Sequence, residues 1–586
     1  MIKLFKNLKK IDIIYGLIAI IFIVFQVYLD LKMPDYMSKI TVLVQSEVSE
    51  LDEVLKYGGY MMACAFGSMI SAVITGYLIS TVSARFSKNV GRKLFDKVTS
   101  FSSEEINEFS TPSLITRNTN DITQVQMFLA MGLQMLIKSP ITAIWAINKI
   151  LDKSWQWSAA TSVAVVFLLV VVGIIMAIVV PKFKLVQNLI DKLNRVTREN
   201  LIGIRVIRAF NAEKYQEEKF EEVNTDLTNL QTFNQKMFAL MMPIMFFVMN
   251  FLALVIYFIG SRLIDGAMIA EKIELFGNMV VFSSYAMQVI MSFLMLAFIF
   301  MMLPRANVSA DRINEVLNTK IKIEDGKKSY KDNGIKGKVE FQNVYFSYPD
   351  AEEAVLENIS FTANRGETVA FIGSTGSGKS TLINLIPRFY DVSGGKILVD
   401  GIDVRDYPLK DLYNKLGYVS QKAFLFNESI ENNIDFGEGL KEISDKDIEN
   451  ALDIAQASEF VNKMDDGKKS MIAQSGTNIS GGQKQRLSIA RAIAKDPEIF
   501  IFDDSFSALD YKTDAILRNE LKKSTENSTK LIVAQRIGTI MNADEIIVLD
   551  QGKIVGKGRH KELLKNCDVY REIALSQLSE EELYNG

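Results

Sequence analysis

The chain has 586 residues, 48% of them hydrophobic and 23% charged, with a formal net charge of −3. That is too apolar for a disordered chain and too charged for one wholly buried in membrane, and the near-neutral balance excludes the basic field of a nucleic-acid binder. Two cysteines more than 500 residues apart, Cys64 and Cys567, exclude a disulfide framework and a cysteine zinc site, and one histidine, His560, excludes any mechanism that needs two.

Six apolar stretches are long enough to cross the ~30 Å of a bilayer core. They run over 13–29, 57–84, 129–148, 154–180, 237–261 and 275–304. The first is the shortest. It follows Lys3, Lys6, Lys9 and Lys10 with no small-residue cleavage pattern after Leu29, so it reads as an uncleaved helix. The third is interrupted by Lys138, and a charge at such depth faces protein or water rather than lipid. With the N-terminus inside, the segments 1–12, 85–121 and 181–236 carry 20 Lys and Arg against 7 in the outer segments 30–56, 149–153 and 262–274. The expectation is a multi-pass protein of the cytoplasmic membrane, with its N-terminus and everything after Pro304 in the cytoplasm. The long inner segments keep apolar residues at helical spacing, as in ARFSKNVGRKLFDKVTSF, so the helices are expected to run on into the cytoplasm before turning back.

Composition shifts after Arg305. A membrane domain over 1–317, a polar, Lys-rich linker over 318–338 and a second domain over 339–586 are expected. From Val339 onward, β-type runs (VEFQNVYFSY, ETVAFIG, KILVDG, PEIFIFDD, KLIVAQR, EIIVLD) alternate with helical patterns, which predicts an α/β fold with a largely parallel sheet.

Three motifs lie in that half. Residues 373–380, GSTGSGKS, match G-x-x-x-x-G-K-[ST] after the strand TVAFI and before the helix-like STLINLIPRF. Such a loop brings backbone N–H groups to phosphate oxygens, Lys379 reaches the β/γ-phosphates, and the Ser380 hydroxyl suits Mg²⁺. The run IFIFDD, 499–504, ends a buried strand on Asp503, the placement a Mg²⁺-holding carboxylate needs. Between them, NISGGQ reads as a helix capped by Ser480, either an ordinary cap or a second anion-binding helix start. One nucleotide does not need two such sites on one domain, so the second reading has it meet a nucleotide held by another copy.

P-loop, ISGGQ, FDD and the run Ser507 to Asp510, in that order, resemble an ABC exporter half-transporter across nearly the whole chain, and LITRNTNDI and ENLIGIRVIRAFNAE are similar to its inner loops. The resemblance implies six long membrane helices followed by a P-loop ATPase domain. It implies two halves that sandwich ATP and Mg²⁺ between one P-loop and the other half's signature. The nucleotide-binding residues would be Tyr348, stacked on adenine, then Gly373, Ser374, Gly376, Ser377, Gly378, Lys379, Ser380 and Thr381, and Gln421. Ser380, Gln421 and Asp503 would hold the metal, and Ser480, Gly482 and Gln483 would contact the partner's γ-phosphate. Tyr348 also reads as a strand-end aromatic and Gln421 as a surface polar residue.

Two departures stand out. Fully active members have Glu after the second motif's Asp, where this chain has Asp504, and a His where it has Gln535. Asp places its carboxylate about 1.5 Å short, and a misplacement of ~1 Å costs about 100-fold in rate. Gln474 also replaces a common Glu, while the signature departs only in Ile479. A weak catalytic site beside a good signature implies the degenerate-site subunit of a heterodimeric multidrug exporter, with a partner that keeps Glu and His. The alternative is a regulatory or channel-like protein in which ATP binding gates and hydrolysis is incidental.

Residues 237–302 hold 12 of the 25 methionines, beside many phenylalanines. Such side chains suit an adaptable surface for hydrophobic drugs or lipids, and equally suit lipid contact and helix packing. Ser283, Ser284, Tyr285, Gln288 and Ser292 add polarity to one face of the last helix.

Overall fold

The computed structural model describes residues 1–45, 51–151, 154–327, 334–349, 351–437 and 442–585. The chain divides into two compact units, Met1–Thr99 with Thr111–Thr319, and Ser100–Ser110 with Lys320–Gly586. The segment Ser100–Ser110, which lies in sequence between membrane helices, belongs to the second unit.

In the first unit, six helices among the described residues are long and apolar enough to cross a membrane. They are α1 (Lys10–Gln45), α2 (Leu51–Thr99), α4 (Thr111–Leu151), α5 (Trp155–Ala209), α6 (Glu213–Asp265) and α7 (Ile269–Asn318), with the short α3 (Ser103–Phe109) between α2 and α4. Every one outruns its apolar core. The first stretch, read as ending at Leu29, continues to Gln45 because its charges are partnered. The Ser68 hydroxyl donates to Asp30 at 2.5 Å, and Lys149 meets Asp35 at 2.8 Å. Lys138, the interruption in the third stretch, lies 3.5 Å from Asp30, so its ammonium is matched within protein. Prolines sit inside α1 (Pro34), α4 (Pro140), α5 (Pro181), α6 (Pro243) and α7 (Pro304). Each removes one backbone donor, a loss that membrane helices tolerate because neighbouring groups re-satisfy the freed carbonyl. The helix α4 also carries π-turns at Arg117–Asp121 and Phe128–Gly132. Trp157, Phe282 and Tyr285 are fully buried at the centre of this unit's largest apolar cluster.

The second unit contains two sheets where one was expected. Strands β1 (Val339–Phe346), β2 (Leu356–Ala363), β4 (Gly394–Val399) and β5 (Ile402–Asp403) form an antiparallel sheet in the order β2-β1-β4-β5. The other sheet, β10-β9-β3-β8-β7-β6, holds β3 (Thr368–Gly373), β6 (Leu416–Val419), β7 (Ile499–Asp503), β8 (Thr529–Val533), β9 (Glu545–Asp550) and β10 (Lys553–Gly558). Its pairs are parallel except β10 with β9. The runs VEFQNVYF and KILV therefore leave the parallel sheet. A short connection returns β1 directly into β2, and such a return gives antiparallel pairing, whereas a parallel pair needs a crossover.

The parallel strands are apolar without alternation because both faces are covered. Val369, Phe371, Ile499 and Ile501 enter the core shared with the antiparallel sheet, while Ala370, Ile372, Phe500 and Phe502 enter the core on the opposite face. Three helices bear on the site: α8 (Lys379–Asn384), α9 (Gly481–Ala494) and α10 (Tyr511–Ser524). The first is shorter than STLINLIPRF suggests, with Pro387 close behind its end. Part of the stretch read as a linker packs on this unit. Gly326 donates its backbone N–H to the Tyr407 carbonyl, and Arg388 donates to the Glu324 carbonyl.

Candidate nucleotide site

The loops after β3, β7 and β8 leave the same edge of the parallel sheet, because these strands are adjacent and share one direction. Ligands of open α/β sheets sit at that carboxyl edge. The P-loop follows β3, Asp503 ends β7, and Gln535 lies two residues beyond β8.

The P-loop turns on positive-φ glycines. Gly376 (φ +85°) has open space where a side chain would begin. At Gly378 (φ +94°) a Cβ would come within 2.7 Å of Leu356. Each position is difficult for any other residue, and the first leaves room for an anion. Lys379 is buried and curls back over the loop, donating to the carbonyls of Gly373 (2.8 Å) and Ser374 (2.7 Å) and to the Ser377 hydroxyl (3.2 Å). Burial lowers its pKa, opposed by the charges of Asp504 and Asp503. The Ser380 hydroxyl donates to Asp503 at 2.8 Å. Burial raises the pKa of Asp503, with the hydrogen bond from Ser380 opposing it.

This donor set fits MgATP. Two hard oxygens, Ser380 Oγ and Asp503 Oδ1, stand together beside an open glycine turn with an ammonium at hand, the chemistry of a P-loop metal. Ser380 and Asp503 would hold Mg²⁺, which supplies charge neutralisation across the phosphates.

Asp504 is buried in the left-handed region (φ 45°). Gln421 and Gln535 both donate to its Oδ2, at 3.3 and 2.9 Å. Burial raises its pKa, with the Gln421 hydrogen bond the largest opposing influence. Gln421 therefore reaches the second carboxylate, while Ser380 reaches the first. Tyr348 is half-buried against Phe346 and Tyr390, and its hydroxyl lies 3.0 Å from that of Thr381.

The signature stands apart. Ser480 caps α9, accepting from the Gln483 N–H at 3.3 Å, while the Gln483 side chain accepts from the Ser480 N–H at 2.8 Å. Among the described residues no hydrogen bond joins Ser480, Gly482 or Gln483 to the P-loop; Ser480 is exposed and Gly482 and Gln483 are half-exposed. From the interior of α9, Gln485 donates to the Ser420 carbonyl at 3.3 Å, next to Gln421.

Sequence reasoning misses two residues here. Gln577 clasps the backbone around Gln535, donating to the Gln535 carbonyl and accepting from the Ile537 N–H, each at 2.8 Å. Nothing in the local sequence marks a side chain 42 residues away as its brace. Arg536 donates to the carbonyls of Ser507 (3.1 Å) and Leu509 (3.4 Å), tying the segment after β8 to the run that follows Asp504. His560, the one histidine, opens the helix His560–Asn566 and is buried between the Tyr570 hydroxyl (2.6 Å) and the Leu583 carbonyl (3.2 Å).

The ABC transporter family pattern matches residues 356–507, and that of the ABC transporter transmembrane region matches 16–293. Over 586 residues the chain is 35% identical to the uncharacterized ABC transporter ATP-binding protein YfiB of Bacillus subtilis, covering 98% of each chain. The chain belongs to the ABC transporter family, as an exporter half-transporter. It is also 38% identical over 526 residues to an uncharacterized ABC transporter ATP-binding protein of Mycobacterium tuberculosis, covering 89% of each. To the ATP-dependent lipid A-core flippase of Aromatoleum aromaticum it is 30% identical over 516 residues, 87% of this chain and 84% of that one. A bacterial Atm1-family ABC exporter with ATP bound shares the fold, at a TM-score of 0.76 and 23% identity over 96% of this chain and 99% of that one. The half-transporter is thus a multi-pass membrane protein with an ATP-binding domain whose chemistry is hydrolysis coupled to transport.

Proposed function

We propose that this half-transporter exports hydrophobic, lipid-like or drug-like compounds as one subunit of a heterodimer, and that its own P-loop site holds MgATP while turning it over slowly. The observation that carries this reading is the double occupation of Asp504 Oδ2 by the amides of Gln421 and Gln535. A carboxylate that orients or deprotonates the attacking water needs a free lone pair aimed at it. Here one oxygen is engaged twice, on a side chain one methylene short. Gln535 is neutral at every pH and brings no imidazole to the γ-phosphate. Binding is a separate matter, served by Lys379, Ser380, Asp503 and the loop amides, with Tyr348 and Thr381 at the adenine side.

On this reading Ser480, Gly482 and Gln483 complete the partner's site, where turnover occurs. The lipid-like substrate is supported by the flippase relatives and by the Met- and Phe-rich last helices. The N-terminus, and the nucleotide-binding domain over 339–586 beyond the 318–338 linker, lie in the cytoplasm, following the Lys and Arg bias.

ATPase of the purified complex tests the division of labour. Ser480→Ala is expected to cut turnover by ~100- to 1,000-fold, the loss typical of one transition-state donor. Asp504→Asn is expected to leave most of it. The reverse pattern overturns the assignment.

A further inference from the structure

The membrane unit holds a cavity of about 290 Å³ lined by Tyr28, Leu31 and Lys32 of α1 and by Trp145, Asn148 and Lys149 of α4. Its walls are aromatic and aliphatic, two ammonium groups line it, and among the described residues no carboxylate does. We propose that this cavity binds the anionic head group of an amphiphile, with the adjoining apolar chain laid along Trp145, Tyr28 and Leu31.

The two lysines differ in a way that matters. Lys149 is fixed by Asp35 at 2.8 Å, and Asp35 is itself held by the Tyr285 hydroxyl at 2.6 Å. That hydroxyl is also 2.9 Å from the Leu31 carbonyl, so α1, α4 and α7 are tied together behind the cavity. Lys32 feels the same carboxylate only at longer range, since Asp35 is already bonded to Lys149, and its ammonium sits 5.7 Å from the centre of the Tyr28 ring. Two lysines that share one carboxylate leave an excess positive charge, and in a membrane-spanning unit such a charge carries a standing cost of desolvation. An anion entering the cavity would neutralise it beside a second, already oriented ammonium and the Asn148 amide. The volume suits a head group with the start of a chain and is too small for a whole lipid. Free inorganic phosphate offers the same charge without the apolar part, and it would leave the aromatic walls uncovered.

This inference rests on the proposed lipid-like export, and a binding measurement separates the two. The full-length transporter, in phosphatidylcholine vesicles, is titrated with phosphatidylglycerol or phosphatidylcholine brominated on the chains while tryptophan fluorescence is followed. Trp155 is exposed and gives both probes a common background, above which saturable quenching is expected with the phosphatidylglycerol probe alone, and this added component should disappear in Trp145→Phe. Lys32→Gln should weaken the interaction about fivefold, the value of one cation facing an anionic lipid, and Lys32→Arg should retain it. Equal quenching by both probes makes the cavity an ordinary interfacial belt and overturns the proposal. So does an unchanged midpoint in Lys32→Gln, or full competition by inorganic phosphate, which would leave a bare anion site. Charge-selective binding without export would count against the export reading alone.

Discussion

The Gln535 amide donates to the Asp504 carboxylate at 2.9 Å, on the oxygen that also takes the Gln421 amide at 3.3 Å. Asp504 and Gln535 stand where the family resemblance implies a catalytic Glu and His, and they are bonded to each other. They therefore act as a pair, and changes at one depend on the other. Asp504→Glu alone should raise ATPase little, because the longer carboxylate still meets the Gln535 amide. Gln535→His alone should also do little. The double variant should exceed the product of the single effects in a steady-state assay of the complex. Simple multiplicativity would show that the hydrogen bond has no influence on turnover.

Lys379 donates to three oxygens of its own loop. Lys379→Ala removes a charged donor and leaves those loop oxygens to water. Hydrogen bonds to charged groups contribute ~1.5–3 kcal/mol, so MgATP affinity at this site should fall by about ten- to a hundredfold. Photo-crosslinking of azido-ATP to this chain in the complex reads the loss.

Gln577 holds the segment that carries Gln535 by two backbone hydrogen bonds. Gln577→Leu keeps the bulk and removes both. In the Asp504→Glu, Gln535→His double variant, where this site would turn over, it should lower the ATPase maximum more than it shifts the ATP concentration at half-maximum, because nothing that grips the phosphates moves. Gln577→Glu keeps an acceptor for Ile537 and should recover part of the loss. Equal loss in both variants, together with a lowered melting temperature, would indicate packing alone.

His560 is placed to give this domain a pH-dependent stability near neutrality. Burial lowers its pKa below the ordinary value, with the Leu583 carbonyl opposing. The unfolded chain therefore binds a proton more readily than the folded one, and stability falls as pH drops from about 6.5 toward the lower folded value. The melting temperature of the transporter should decline across that window by more than in His560→Gln. Parallel curves for the two proteins would remove His560 as the cause.

Orientation is testable with single cysteines, since native Cys64 and Cys567 are both buried. In intact cells an impermeant thiol reagent should label Leu51→Cys, at the exposed start of α2, and spare Ser110→Cys until the cells are opened. The opposite pattern would invert the topology.

The P-loop and the strand ending at Asp503 are legible in the sequence because their chemistry is local. Glycine spacing, a lysine and a strand of four apolar residues lie within a few positions of one another. The six spans are legible for the same reason, though not their lengths. Charges such as Asp30 and Asp35 read as the end of a span until their partners, 38 to 114 residues away, are known. The second sheet is hidden because β2, LENISFTA, alternates with polar residues and resembles a surface segment, and β5 is only two residues long. Neither the bond from Gln535 to Asp504 nor the brace from Gln577 has any local signal. Both depend on loops that only the strand order β3-β8-β7 brings together.

The capping box at Ser480 sets a condition on how two halves join. In that box the Gln483 Oε1 and the Ser480 Oγ act as acceptors, so the cap holds both side chains in place while the Ser480 hydroxyl proton and the Gln483 amide protons take no part in it. A phosphate only accepts hydrogen bonds, so a partner's phosphate would take up those donors without breaking the cap. Side chains ordered in advance lose little rotamer freedom on contact. An interface built on donors held ready in this way holds while the nucleotide's charge favours it and loosens once that charge is divided.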